Sequence, residues 1–174
     1  MIKNNLFVLP FVADSDFYKD VSRRQGIVYS RDVDDDGVIE LPMQDVAPGK
    51  TGLYLTTYCR MDDGMEAVPV RTAFVNDSEG YIFYLPDQWV GQVTVSQSKT
   101  GETVFKEYDA ETEQGGKELL HIKVYSEKDY QDKFDIQNYR KIGQRGNFMY
   151  YASIGTGAEL SITFDELGDL FQII

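Results

Sequence analysis

Between Leu53 and Ile154 the chain repeats one pattern, a short run in which apolar and polar residues alternate, closed by a turn signal. Leu53–Arg60 ends at Asp62-Asp63-Gly64, and Val68–Val75 ends at Asn76-Asp77-Ser78-Glu79-Gly80. Tyr81–Pro86 and Val93–Gln97 follow, the second broken at Gly101. Glu102–Tyr108 and Leu119–Tyr125 flank a polar Gly115-Gly116 loop, and Asn147–Ile154 comes after a turn over Lys141–Gly146. Successive side chains on a strand point to opposite faces, so each run offers one face to a core. Short alternating runs separated by turn residues form antiparallel hairpins. Twelve Tyr and ten Phe against five Pro fit a pleated, half-buried surface.

The ends of the chain add to this sheet. Leu6–Val12 is an apolar run interrupted by Pro10, and reads as a strand. Gly26–Tyr29 leads into an acidic loop, and Val38–Leu41 leaves it, with Pro42 ending that strand. Glu127–Phe134 suggests a short, weakly amphipathic helix. The final segment is the clearest helix: Thr163 with Glu166 three residues on forms a capping box. Phe164, Leu167, Leu170, Phe171 and Ile174 then share one face at helical spacing. The expected fold class is α+β, an antiparallel β-sheet packed by a C-terminal helix. Residues 1–48 form a β-rich N-terminal segment with the acidic loop, and residues 49–174 the sheet and helix.

The 174 residues are enough for one buried core. A net charge of −12 opposes nucleic acid and anionic membrane surfaces, both of which demand Lys and Arg. Cys59 is the only cysteine, which excludes an internal disulfide; its place in a strand marks it as a buried thiol. No stretch reaches the roughly 18 consecutive apolar residues of a membrane helix. Leu6–Ala13 lacks the basic start and cleavage site of a signal peptide, so any export signal is expected outside this sequence.

The stretch with the most specific chemistry is Asp32-Val33-Asp34-Asp35-Asp36-Gly37-Val38-Ile39-Glu40. Calcium takes six to eight hard oxygen ligands in a flexible shell. Asp32, Asp34 and Asp36 at alternate positions can aim carboxylates into one turn, and Gly37 permits the bend. The carbonyl of Val38 falls at the seventh position, a usual backbone ligand, and Glu40 closes the set at the ninth. Position twelve is Met43, so the loop is not an EF-hand. The expected cofactor is therefore a structural Ca2+ held by Asp32, Asp34, Asp36, Val38 and Glu40. The alternative is an acidic turn without metal, since Asp-Gly is itself a turn signal.

This D-x-D-x-D-G-x-x-E spacing resembles the short calcium loops between strands of FG-GAP (integrin-type) repeats. A second resemblance runs over roughly residues 25–174. Tyr81–Trp89, with Leu85-Pro86 and Trp89, then Val104-Phe105, Leu119–Val124, Tyr139–Gly143 and Tyr150-Tyr151-Ala152, resemble an uncharacterised secreted and lipoprotein family of Gram-positive gut bacteria. That family often carries an acidic loop like Asp32–Pro42 upstream. The C-terminal half is similar in layout to PsbP/Mog1-like domains, in which helices flank an antiparallel sheet. The resemblance implies export, envelope attachment through a lipidated N-terminus outside this chain, and no established activity. The sequence is thus expected to be the C-terminal part of a longer protein.

Candidates for other chemistry are sparse. His121 lies on a strand face with Lys123, opposite Leu120, Ile122 and Val124, and reads as a half-exposed strand residue. A catalytic base would need an oriented partner. Trp89 suits a core or hairpin-corner anchor, with a ligand-stacking platform as the second reading. The many tyrosines suit sheet positions with wet hydroxyls, with a carbohydrate or peptide groove as the second reading. No nucleophile elbow, phosphate loop or H-E-x-x-H motif occurs. The chain thus reads as non-catalytic: an extracellular or surface-anchored, calcium-stabilised module that meets an envelope component or another protein, with no nucleic-acid partner and no membrane span. Two alternatives stand beside it, an enzyme whose site is assembled only in three dimensions and a cytosolic acidic protein with a basic partner.

Overall fold

A computed structural model describes residues 28–49, 51–62, 66–126 and 138–174, together with the backbone pairing of β1 (Ile2–Lys3) and β2 (Leu6–Phe7). The helix expected over Glu127–Phe134, most of the Leu6–Val12 strand and the Asp63-Gly64 part of one turn lie outside the described residues.

The alternating runs become antiparallel strands, as the pattern requires, but they divide between two five-stranded sheets. The strands β3 (Leu41–Val46), β4 (Tyr54–Met61), β5 (Ala67–Asn76) and β6 (Tyr81–Tyr84) form a meander. A 3-10 turn at Asp87–Trp89 carries the chain to the other sheet. There β7 (Val93–Gln97), β8 (Thr103–Asp109) and β9 (Gln114–Ser126) make a second meander, extended by β11 (Phe148–Ile154) and then β10 (Arg140–Arg145). The chain returns through a short helix, α1 (Phe164–Leu170), to β12 (Phe171–Ile173), which pairs with β6.

The two sheets share one core. Phe74, Tyr81 and Phe83 from the first meet Val95, Phe105, Ile122 and Tyr150 from the second. Phe105 makes edge contacts with both Phe74 (5.7 Å) and Phe83 (5.0 Å). Trp89 is fully buried beside Phe83, and its indole N–H donates to the Leu160 carbonyl at 2.7 Å, so it is a corner anchor. Burying several such rings contributes most of the stabilisation, at about 1.5–3 kcal/mol per large apolar side chain. Tyr81 departs from the expectation of wet hydroxyls: its O–H is buried and donates to Thr103 Oγ1 of the opposite sheet at 2.8 Å.

The first sheet is covered on its other face as well. Val28 and Val33, from the acidic segment, pack with Tyr58, Ala73, Ile82 and Tyr84. Tyr81-Ile82-Phe83-Tyr84 is therefore a continuous apolar run because both of its faces are buried. Two prolines sit where a sheet tolerates them. Pro42 lies inside β3, an edge strand, rather than ending it. Pro69 lies beside a register shift between Tyr58 and Cys59, beyond the part of β5 that pairs with β6.

The helix is shorter than its apolar spacing suggests. Thr163 caps it, accepting from the Glu166 N–H at 3.2 Å while Glu166 reaches back to the Thr163 N–H at 2.7 Å. At Phe171 the backbone turns extended, and the residues expected to continue the helix become β12 instead. The open edge of β6 explains this, since pairing satisfies a row of backbone groups. At Gly143 of β10 a β-carbon would lie 2.6 Å from Ile173 Cδ1, so glycine lets the edge strands of the two sheets approach.

Candidate metal centre

The acidic turn is built on a closed neck. Arg31 and Glu40 exchange backbone hydrogen bonds of 3.2 and 2.9 Å, and Glu40 leads directly into β3. Between them the chain reverses through Asp35 (φ +60°) and Gly37 (φ +87°), conformations that short polar residues and glycine adopt at least cost. Two side chains brace the turn from within: Asp32 Oδ2 accepts from the Gly37 N–H at 2.9 Å, and Asp36 Oδ1 from the Val38 N–H at 2.7 Å. Buried Val33 fastens the turn to the sheet face beneath it, and Arg71 of β5 donates to the Val33 carbonyl at 3.1 Å.

Carboxylate oxygens of Asp32, Asp34 and Glu40 lie within 4.8 Å of one another. Glu40 is fully buried, with Oε2 accepting from the Val33 N–H at 3.0 Å. Its other oxygen, Oε1, is buried without a hydrogen-bond partner, and so is Asp32 Oδ1. An unpartnered buried carboxylate oxygen is costly, and one beside two further carboxylates is costlier. A divalent cation removes both penalties. The donor set is all hard oxygen, with no His or Cys, which suits calcium or magnesium over zinc or copper. The irregular turn suits calcium, whose shell tolerates varied geometry.

Of the five residues read from the sequence, the structure brings Asp32, Asp34 and Glu40 together. Asp36 is outside the cluster because its oxygens are engaged elsewhere, Oδ1 within the turn and Oδ2 at 3.4 Å from Arg60 Nη1. Val38 contributes its N–H to that same bond and leaves its side chain exposed. The closing acid is thus the anchor of the turn. Its length lets it reach from the neck back to Val33.

A second group of ionisable side chains lies on the outer face of the other sheet. His121 faces Glu102 Oε1 through Nδ1 (3.2 Å) and Glu118 Oε2 through Nε2 (3.0 Å). Tyr139 donates a short hydrogen bond to Glu102, and Lys123 lies 3.6 Å from it. Lys106 contacts Glu118 at 2.9 Å and is the main reason that its carboxyl lies below the usual range, with His121 adding to the effect. Burial, then the bond to Glu102, pushes the Tyr139 phenol up. His121 and Lys123 were placed on this face by alternation; Glu102 and Tyr139 come from distant strands and carry no local signal. Cys59 is buried on β4, where desolvation and then Asp45 raise its thiol, so it is an inert packing residue. Comparison with protein-family models, with curated proteins and with solved structures returns no match to this chain.

Proposed function

We propose that this chain is a non-catalytic module that works outside the cytoplasm and holds one structural calcium ion in the Asp32–Glu40 turn. The observation that carries the reading is Glu40, fully buried with one oxygen unpartnered beside the carboxylates of Asp32 and Asp34. Asp32, Asp34 and Glu40 would hold the ion, and its charge would fix the turn against the first sheet. Extracellular calcium, near millimolar, saturates even weak sites of this type. An ion-stiffened loop on a strand-rich scaffold fits a module that meets an envelope component. Among the described residues no helix is long and apolar enough to cross a membrane.

Thermal unfolding tests this directly. The melting temperature is measured in chelator and then in 2 mM calcium (on the order of the extracellular level), for the parent chain and for Asp34→Ala. Asp34 is exposed and makes no bond that braces the turn, so its removal leaves the calcium-free protein folded. A calcium-dependent rise in the parent, lost in the variant, supports the reading. Identical melting in chelator and calcium overturns it.

A further inference from the structure

A separate cavity of about 790 Å³ opens where three segments meet: the extended segment entering the acidic turn, the β5–β6 turn and the β10–β11 turn. Its size is that of a small-ligand site. Each segment brings a distinct chemistry. The first supplies Tyr29 and Arg31, the second Asp77 and Glu79, the third Arg145 and Phe148.

The cavity gathers two arginines in a chain that carries 29 acidic residues against 17 Lys and Arg. Among the described residues neither has a carboxylate within ion-pair distance, although the cavity also holds Asp77 and Glu79. The Arg31 Nε–H is buried without a partner, and its Nη1 reaches only the Gln172 amide at 3.5 Å. Two guanidinium groups lining one cavity, without an ion-pair partner among the described residues, match a carboxylate. Tyr29 and Phe148 are 65% and 52% exposed, far more than the core aromatics, and both line the cavity, which so gains aromatic side chains within reach of solvent. Asp77 and Glu79 line it as hydrogen-bond acceptors. Two acids disfavour a dianion such as phosphate but suit a ligand rich in hydroxyl donors.

We propose that this cavity binds an acidic sugar, a hexuronic-acid unit of a glycan. Arg31 and Arg145 take the carboxylate, Asp77 and Glu79 accept from ring hydroxyls, and Tyr29 and Phe148 pack on the faces of the pyranose. The site goes beyond the metal reading and uses none of the residues that would hold calcium. Glu79 sits over the hydrogen bond from Asn76 Nδ2 (2.7 Å), and the neighbouring Tyr150 hydroxyl is taken by the Glu79 backbone carbonyl at 2.8 Å. Its side chain is thus held in place at the cavity wall.

Titration of the whole chain by calorimetry and by amide NMR tests the proposal, with trigalacturonate, the neutral galactotriose and inorganic phosphate as probes, in calcium and again in chelator. Trigalacturonate is expected to bind, with galactotriose and phosphate each at least about tenfold weaker, since a charge-assisted bidentate contact contributes about that factor. Arg145→Ala is expected to weaken trigalacturonate about tenfold, and Arg145→Lys, which keeps the charge but not the fork, by less. Both Arg145 and Phe148 are exposed at a hairpin turn, so these variants and Phe148→Ala fold. No binding of trigalacturonate, equal binding of galactotriose, equal binding of phosphate, or an unchanged affinity in Arg145→Ala each overturns the proposal. Binding that persists in chelator shows that the sugar site stands whether or not calcium occupies the turn.

Discussion

Two acidic clusters on opposite sheets differ in what neutralises them. Around Glu102 the partners are part of the fold: Lys123 and the His121 ring approach the same oxygen, Tyr139 donates to it, and Lys106 serves the adjacent Glu118. Among the described residues Glu40 has no ion-pair partner. Its Oε2 has only the Val33 N–H, its Oε1 has nothing, and the closest side chains in the cluster are further carboxylates. A third case lies between them. Glu79 is partly buried with one neutral donor, Asn76, and burial pushes its carboxyl up to about 7 despite that bond. The comparison teaches that a carboxylate withdrawn from water is balanced by a fixed cation, by a proton or by a bound ion, and the neighbours decide which.

Replacing Glu40 breaks the comparison most severely. Glu40→Ala leaves the Val33 N–H unpaired and empties a buried site, with an expected loss of about 3 kcal/mol in calcium, read by urea unfolding. Glu40→Gln sharpens the point through its sign. In chelator the amide relieves an unbalanced buried charge, so the variant is at least as stable as the parent, while the calcium response disappears. Next comes the ion itself. At calcium one hundred times the dissociation constant the parent gains about 2.7 kcal/mol, and Asp34→Ala abolishes most of that gain. A parent gain that survives Asp34→Ala would place the ion elsewhere.

The intermediate case predicts a smaller, pH-linked effect. The Glu79 carboxyl has a folded value raised above its ordinary 4.5, so the folded state binds the proton more tightly. This contribution is fully present below pH 4.5 and is lost as pH rises through about 7. Glu79→Gln removes that slope and stabilises the protein at pH 8 by about 1 kcal/mol, a figure reduced for the solvent that reaches the group. Denaturant titrations at pH 5 and 8 measure it. The smallest effect belongs to the self-balanced cluster. His121→Ala costs about 0.5–1 kcal/mol, as expected of one ion pair on a sheet face that solvent still reaches, and the loss is the same in chelator and calcium. A calcium-dependent loss there would erase the distinction between the two clusters.

Some of this was readable without the fold because its causes are local. The Thr163–Glu166 capping box, the positive φ at Gly37 and the Asp32–Gly37 bond each span a few residues. Alternation placed His121 and Lys123 on one face and Leu120 and Ile122 on the other. Asp36 shares the turn, and the contact of its Oδ2 with Arg60 on β4 is long-range and has no local signal. Phe171 to Ile174 fit a helical stripe, yet the free edge of β6 draws Phe171–Ile173 into a strand. The cavity lined by Tyr29, Glu79 and Arg145 has no sequence signal, because its parts are brought together from distant turns.

By itself the sequence determined that this chain is made of antiparallel strands, that one capped helix lies near its end and that one turn gathers acids. Period, capping and turn chemistry act within a few residues and do not depend on what packs against them. Tertiary structure alone decided that the strands split into two sheets, that the acidic segment covers the outer face of one of them, and that Glu40 is fully buried with one oxygen unpartnered. Strand partners and buried neighbours are set by contacts across the chain, where many registers satisfy the same alternation and only packing distinguishes them.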